Sequence, residues 1–350
     1  MKFLLVKLNH LGDTLLLTPT LRLLRERHPE ARIDVIVRGG CETMLKGNPD
    51  ITNLIGVARP EKENRSAFTG AKEFLQAARL VAAQRYDYAF DLSDSDRAKT
   101  FIALSGAKVR GINDAYDTLK RKAIWPRVFN GISKFDWAPE HQVWRDFRTV
   151  TDVMKIQAEA GPLRFHPQVD ESALFNKLPF LKERRPFAIL HPTSRWGFKQ
   201  WLPERWAQVA DAIQKKHGLA VLLSTGPDAK EHEYVQHIKA AAKSPLLWNE
   251  GKTSLHELGW MLQNARLFLG VDTVAMHLAA AMQTPIVALF GPSSEWSWHP
   301  WKVRHELVLG PCNCKKTREF ICDKSRIYPC MESISVDSVL VAADKLLTNK

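Results

Sequence analysis

Asp13 stands where an apolar run breaks and starts again. Residues 3–8 read Phe-Leu-Leu-Val-Lys-Leu; Asn9, His10, Leu11, Gly12 and Asp13 interrupt them, and apolar letters resume with helical spacing from Thr14 to Leu17. A strand, a tight turn at Gly12 and a helix fit that pattern. A carboxylate at a helix start can cap free backbone N–H groups. One lying beyond the carboxyl end of a parallel strand also faces the place where open α/β sheets bind ligands, and there it can accept a proton. Both roles stay open for Asp13 on the turn alone. His10, beside it, is the histidine best placed to serve the same chemistry, while His141, His191 and His277 read equally as structural or as site residues.

The second half of the chain holds three places suited to an anion. Thr193, Ser194, Arg195 and Lys199 follow an apolar run and supply two hydroxyls and two cations, a set able to hold a diphosphate; a solvated loop with Trp201 beneath it is the plainer reading. Gly270-Val271-Asp272-Thr273 marks a strand meeting a helix, whose first N–H groups and dipole favour phosphate, although Asp272 and Thr273 also read as cap residues. Gly291-Pro292-Ser293-Ser294 is a third glycine turn and a weaker signal. Asp91, Asp94 and Asp96 after another strand could hold a divalent ion or touch a substrate, with Asp94 the pick for contact, or serve only as turn formers. Cys312, Cys314, Cys322 and Cys330 fall within nineteen residues. Four thiolates suit zinc or iron, but their C-x-C start departs from the usual C-x₂-C knuckle, and reduced structural cysteines are the alternative. Trp296, Trp298 and Trp301 could stack on a base or a sugar, or pack a domain edge.

The elements that position these residues alternate. Strands are expected at residues 32–37, 53–57, 86–92 and 108–112, and helices at 71–84, 99–104 and 141–154. Pro19 either kinks the first helix or opens its main part behind Thr18. A polar loop covers 59–70. The alternation restarts with strands at 187–190, 220–224, 267–271 and 285–290 and helices at 203–217, 231–242, 255–264 and 273–282, ending in an amphipathic helix at 336–347. Strands and helices of these lengths imply parallel sheets covered on both faces. The expected layout is a first domain over 1–165, a linker over 166–185, a second domain over 186–333, and a terminal helix over 334–350 that could pack back on the first domain.

The chain has 350 residues, 45% of them hydrophobic, enough for about two domains at ~150 residues each. It has no run of about 18 uncharged apolar residues and no charged leader with a cleavage site, so a cytoplasmic protein is expected. Fifty basic against 38 acidic residues give a formal charge of +12, which favours an anionic partner: nucleic acid, a phosphorylated substrate or a membrane face. The basic residues lack the aromatic interleaving of a nucleic-acid binder, so nucleic acid is excluded as a partner.

Taken in order, Leu11 to Leu15, His191 to Ser194 with Lys199 and Trp201, Gly270 to Thr273 with His277 to Ala281, and residues 285–291 resemble the ADP-heptose:lipopolysaccharide heptosyltransferases, glycosyltransferase family 9. The resemblance runs from residue 2 to about 347. Ser224 to Asp228 and Trp298 to Trp301 make the chain most similar to the heptosyltransferase III type of the lipopolysaccharide core. One departure is Val274, where many members carry glycine. The resemblance implies an α/β fold of the GT-B type, with two Rossmann-like domains facing a central cleft. It implies an inverting glycosyltransferase that moves L-glycero-D-manno-heptose from ADP-heptose to the anionic inner core. Asp13 would be the general base. Thr193, Ser194, Lys199, Asp272, Thr273 and His277 would hold the donor diphosphate, and His10, Gly12 and Asp94 would line the acceptor side. No metal or other cofactor is implied, and the place of work would be the cytoplasmic face of the inner membrane. A protein acceptor, as in heptosyltransferases that modify autotransporters, and a non-catalytic nucleotide-binding module are the competing readings.

Overall fold

Apolar runs rich in Val, Ile and Leu build two six-stranded sheets in the computed structural model, one in each of two units, Met1–His166 and Pro167–Lys350. The structure describes residues 1–58, 67–121, 124–312, 322 and 328–348. The first sheet contains β1 (Lys2–Lys7), β2 (Arg32–Arg38), β3 (Asn53–Val57), β4 (Tyr88–Asp91), β5 (Val109–Asn113) and β6 (Gly131–Ser133), in the order β3-β2-β1-β4-β5-β6. The second contains β7 (Phe187–His191), β8 (Ala220–Leu223), β9 (Leu247–Trp248), β10 (Leu267–Val271), β11 (Ile286–Phe290) and β12 (His305–Leu309), in the order β12-β11-β10-β7-β8-β9. Counted from its own first strand, the second sheet repeats the order of the first. Both are doubly wound Rossmann-like sheets, and every described pairing is parallel.

Helices cover both faces, so the central strands are apolar on both sides rather than alternating. Phe3, Leu4, Leu5 and Val6 of β1 are all fully buried. Phe3 and Leu5 pack with Leu21 and Leu24 of the helix Thr18–Arg27, and Leu4 and Val6 pack with Phe101 and Ile102 of the helix Asp96–Leu104. In the second unit Trp201 and Trp206 meet edge to face at 4.9 Å in the core beneath β7.

The order of strands decides where a ligand can sit. β1 lies between β2 and β4, and β7 lies between β8 and β10. Chain connections leave these central strands in opposite directions, which opens a crevice beyond their carboxyl ends. The loops after β1 and β4 in one unit, and after β7 and β10 in the other, therefore sit at corresponding places.

Several expectations change. Gly12 makes no turn: it is the second residue of the short helix Leu11–Leu15, and the chain reverses through Leu8, Asn9 and His10 instead. Pro19 opens a second helix, Thr18–Arg27, rather than kinking the first. The stretch expected as a linker folds into the second unit, where Leu174 is fully buried and Lys177 pairs with Glu257 at 2.7 Å. The terminal helix Val336–Thr348 likewise packs in the second unit, because its apolar stripe of Val339, Ala342, Ala343 and Leu346 fills that core and Asp344 pairs with Lys216 at 2.6 Å. The expected packing back on the first domain is corrected accordingly. Residues 59–66 of the polar loop lie outside the described residues. Among the described residues no helix is long and apolar enough to cross a membrane.

Trp201 tests the core of the second unit. Its indole is fully buried and its Nε1 donates to the Ile334 carbonyl at 3.2 Å. Trp201→Ala removes a large buried side chain and should cost about 3–5 kcal/mol in urea unfolding followed by far-UV circular dichroism. An unchanged midpoint would contradict the packing described.

Candidate active site

In the first unit the site begins with a helix start that a carboxylate closes. Asp13 is the third residue of Leu11–Leu15, and its Oδ2 accepts from the His10 backbone N–H at 3.2 Å. The His10 ring Nδ1 lies 3.8 Å from the same oxygen. The capping role is real, but it uses one edge of the carboxylate, and the Asp13 side chain stays 22% exposed. Burial acts to raise the Asp13 pKa. The hydrogen bonds from His10 and the positive charge of Lys7 outweigh it, so Asp13 is held below the usual carboxylate range. Lys7, at the end of β1, is itself buried, with its Nζ 2.7 Å from the Asp146 carboxylate of the helix Gln142–Met154.

The loop after β4 is fastened to this start. The Leu8 backbone N–H donates to the Ser93 hydroxyl at 2.6 Å, Ser93 donates to the Val6 carbonyl, and Lys7 donates to the Leu92 carbonyl at 3.0 Å. Asp91 turns the loop by accepting from the Ser93 and Asp94 amides at 2.9 and 3.0 Å. Asp94 takes a left-handed backbone, φ 52°, and pairs with Lys99 at 2.7 Å. Burial raises the Asp91 carboxyl to about 6, opposed by the charge of Lys99 and the two amides. Asp91 is thus a loop former beside the site, and Asp94, with its side chain 28% exposed, is the reachable member. His10, Asp13 and Asp94 are brought to one edge of the first sheet.

In the second unit the corresponding loops are joined by an ion pair. Lys199 follows β7 in a single 3₁₀ turn, Gly197–Lys199, and its Nζ lies 2.6 Å from Oδ2 of Asp272, the residue after β10. Thr273 caps the helix Val274–Ala281, but its hydroxyl makes no cap bond; Oγ1 is buried without a hydrogen-bond partner. A cation, an unused hydroxyl and a helix N-terminus therefore converge at one edge, the combination that binds phosphate oxygens. His277 lies on the second turn of that helix, 3% exposed, with its ring 6.0 Å from that of Trp298. Val274, the departure from glycine, is the first helical residue.

The hydroxyls expected to join them are committed elsewhere. Thr193 is fully buried and donates to Glu231 at 2.8 Å, while Ser194 accepts from the Trp196 amide at 3.2 Å. The fold thus orients these two residues inward, to shape the loop. Glu231 was not singled out in the sequence. It opens the helix Ala229–Ala241 and also accepts from the Gly226 amide at 2.9 Å, tying the loops after β7 and β8 together. The spacing of Asp228 and Glu231, a cap residue followed three positions later by Glu, was the available signal. Lys7 and Asp146 were also missed, because a buried ion pair drawn from positions so far apart leaves no local pattern.

A family model described as glycosyltransferase family 9 (heptosyltransferase) matches residues 75–327. The chain belongs to glycosyltransferase family 9. A curated relative, lipopolysaccharide heptosyltransferase 3 of Escherichia coli strain K12, is 27% identical over 96% of this chain and 95% of that one. Among solved structures, a glycosyl transferase of family 9 from Veillonella parvula superposes with a TM-score of 0.81 at 20% identity, covering 100% of this chain and 97% of that one. The Escherichia coli heptosyltransferase WaaC with ADP-2-deoxy-2-fluoro heptose superposes with a TM-score of 0.72 at 19% identity, covering 99% of each chain. These likenesses establish the GT-B fold.

The described members of the cysteine cluster of this glycosyltransferase, Cys312, Cys322 and Cys330, lie in the second unit, and Cys41 lies in the first. Cys330 is buried, and burial together with the neighbouring thiols of Cys312 and Cys322 pushes it up to about 12. Cys314 lies outside the described residues. Among the described residues no group of three or more His, Cys, Asp or Glu is arranged to hold a metal ion. Of the three clustered tryptophans, Trp301 is buried and Trp296 is 44% exposed.

His191, at the end of β7, gives the site region of the glycosyltransferase a pH signature. Its Nδ1 lies 3.2 Å from the Ser224 hydroxyl, and burial drives its pKa down to about 4, against the pull of Glu231. An unfolded histidine titrates near 6.5. Between about 4 and 6.5 the unfolded chain therefore binds more protons than the folded one. The stability that neutral His191 supports is present above about pH 6.5 and lost as pH falls toward 4, on the order of 1 kcal/mol. Denaturant unfolding at pH 5 and pH 7 should show a smaller difference for His191→Asn than for the parent. An identical difference would contradict this account.

Proposed function

We propose that this family 9 enzyme transfers L-glycero-D-manno-heptose from ADP-heptose to a hydroxyl of the lipopolysaccharide inner core, with inversion at the anomeric carbon, as a heptosyltransferase of type III. The full-length relationship to lipopolysaccharide heptosyltransferase 3 supports this donor and acceptor over a protein acceptor or a non-catalytic binding role. The observation that carries the mechanism is the state of Asp13: partly exposed, held ionised, and set at the switch point of the first sheet.

A single displacement needs a base for the acceptor hydroxyl and stabilisation of the departing diphosphate. Asp13 takes the proton from the hydroxyl as that oxygen attacks the anomeric carbon, and the bond from that carbon to the diphosphate oxygen breaks. Lys199, the Thr273 hydroxyl and the first amides of Val274–Ala281 receive the negative charge that develops on the diphosphate. Asp272 holds the Lys199 ammonium in place before the donor arrives. Thr193 and Ser194 shape the loop, and His277 lines the donor side through the same helix. These fixed positive groups do the work that a divalent metal does in other transferases, so the reaction is proposed to run without one. On the acceptor side His10 and Asp94 flank the base, and Gly12 lets the acceptor approach the short helix closely. The net charge of +12 suits the phosphates and acidic sugars of the core, and attraction to an anionic membrane surface where the glycolipid lies, which supports a peripheral position on the cytoplasmic face of the inner membrane.

The test is incubation with ADP-heptose and truncated cores of defined length, read by mass. One added heptose on one core length is expected, and no addition on any core would overturn the proposal. Asp13→Asn should lower kcat by about 10²–10⁴-fold while ADP affinity, measured by calorimetry, is unchanged. Lys199→Ala should weaken ADP binding instead. Full transfer by Asp13→Asn would remove the base.

A further inference from the structure

The loops after β5 and β6 reach the same edge of the first sheet as those after β1 and β4, and beside them stands a cation that the mechanism does not use. The Arg145 guanidinium lies over the Trp137 ring, 4.5 Å from its centroid. The Tyr116 ring meets Trp137 edge to face at 5.5 Å, and 47% of Tyr116 is exposed. Contacts tie this group to the site from two sides. Thr118, two residues after Tyr116, donates from its hydroxyl to the Asp94 carboxylate at 3.3 Å. Asp146, the residue after Arg145, holds Lys7 at the end of β1 at 2.7 Å. The carboxylates nearby are engaged: Asp146 by Lys7, Asp136 by the Tyr116 hydroxyl, and Asp114 and Asp117 by Lys134 at 3.3 and 3.0 Å. Among the described residues no carboxylate pairs with Arg145. Arg148, one helical turn on, shows the alternative. It lies over the Phe135 ring at 5.0 Å, but its Nε is claimed by Asp152 at 2.9 Å.

A guanidinium over an aromatic ring keeps its N–H donors at its rim, so the ring fixes the cation without using any of them. At a half-exposed position such a contact adds little stability by itself. What it does supply is a preorganised fork, the shape that matches a phosphate or a carboxylate through two parallel hydrogen bonds. We propose that Arg145 is a specificity residue for the acceptor, which binds the anionic group, phosphate or carboxylate, carried by a core sugar, while Trp137, braced by Tyr116, positions its guanidinium. The inference rests on the reading of the acceptor as an anionic glycolipid core. The link from Thr118 to Asp94 puts this subsite on the acceptor side of the site, within the first unit. A neutral glycan gives Arg145 nothing to bind, so the subsite favours cores that carry the charged group.

The test varies the acceptor at saturating ADP-heptose. Three acceptors are compared: a truncated core, the same core dephosphorylated, and the same core with its carboxylates reduced to alcohols. Arg145→Gln should raise KM for the untreated core about 10–100-fold, the effect of losing one charge-assisted contact, with kcat and ADP affinity unchanged. That rise must vanish on the core lacking the bound group: on the dephosphorylated core if the group is a phosphate, on the reduced core if it is a carboxylate. Trp137→Leu should raise KM for the untreated core by less. Arg148→Gln, which removes the engaged cation, should leave all three KM values at the parental level. A KM that Arg145→Gln leaves unchanged, or raises equally on all three cores, overturns the subsite. If Arg145→Gln fails to fold, Arg145→Lys, which keeps the charge but loses the fork, decides by the same comparison. Failure of the functional reading is distinguishable. If the parent transfers heptose to no core, calorimetric binding of the three cores to parent and variant replaces the kinetics. Weaker binding by the variant that depends on one anionic group supports the subsite, whereas equal binding, or no binding by the parent, overturns it.

Discussion

Every described strand pairing in both sheets is parallel, and the position of each site residue follows from that constraint. A parallel sheet sends all its strand ends to one edge, so the loops that leave them are neighbours however far apart they are in sequence. Double winding then makes one place on that edge special, the gap between the strand that starts the sheet and the strand that begins the second half. In the first unit Asp13 and Asp94 leave β1 and β4 at that gap. In the second, Lys199 and Asp272 leave β7 and β10 at the same gap and meet at 2.6 Å. Two sheets of one topology thus carry different side chains at the same place, a partly exposed carboxylate in one and a lysine–aspartate pair beside a helix N-terminus in the other. The difference lies wholly in the loops.

Three buried or half-buried ion pairs follow the same geography. Lys7 with Asp146, Lys99 with Asp91 and Asp94, and Lys199 with Asp272 all sit at strand carboxyl ends, where helix starts and unpaired amides already bias the field. The central strand β1 is apolar through the sheet's thickness from Phe3 to Val6, and the buried Asp34 of the neighbouring β2 is held by Arg32, Asn53 and the Tyr86 hydroxyl. Charge is concentrated where the loops can satisfy it and where a reaction can use it. Along this edge Asp13 is held below the usual carboxylate range, whereas burial raises Asp91, which shapes a turn, to about 6.

How much of this was legible depended on the range of the interaction. The central strands and the helices Pro203–His217 and Leu255–Asn264 were readable because their apolar periodicity is local and strong. The edge strands β6, β9 and β12 were not: the first two are only three and two residues long, and β12 places His305 and Glu306 on a half-covered edge. The ordered motifs picked out Asp13, Lys199, Asp272 and Thr273, and the fold gathers the last three at one edge. What the motifs could not show was how hydroxyls divide their bonds. Thr193 looked like a ligand by type and place, yet Glu231, thirty-eight positions along, claims it. Gly12 looked like a turn because glycine most often is one, but here the polar step before it reverses the chain. The terminal helix was recognised by its stripe, which says that a face is buried without saying where.

The central claim is a division of labour: base on the first unit, diphosphate on the second. A crystal structure of the protein with an unreactive ADP-heptose analogue and a truncated core tests it most directly. The account predicts diphosphate oxygens within hydrogen-bond distance, about 2.6–3.2 Å, of Lys199 Nζ and Thr273 Oγ1, and one core hydroxyl at a similar distance from the Asp13 carboxylate. A diphosphate held by loops of the first unit, or a core whose hydroxyl nearest the anomeric carbon faces any group other than Asp13, would contradict it.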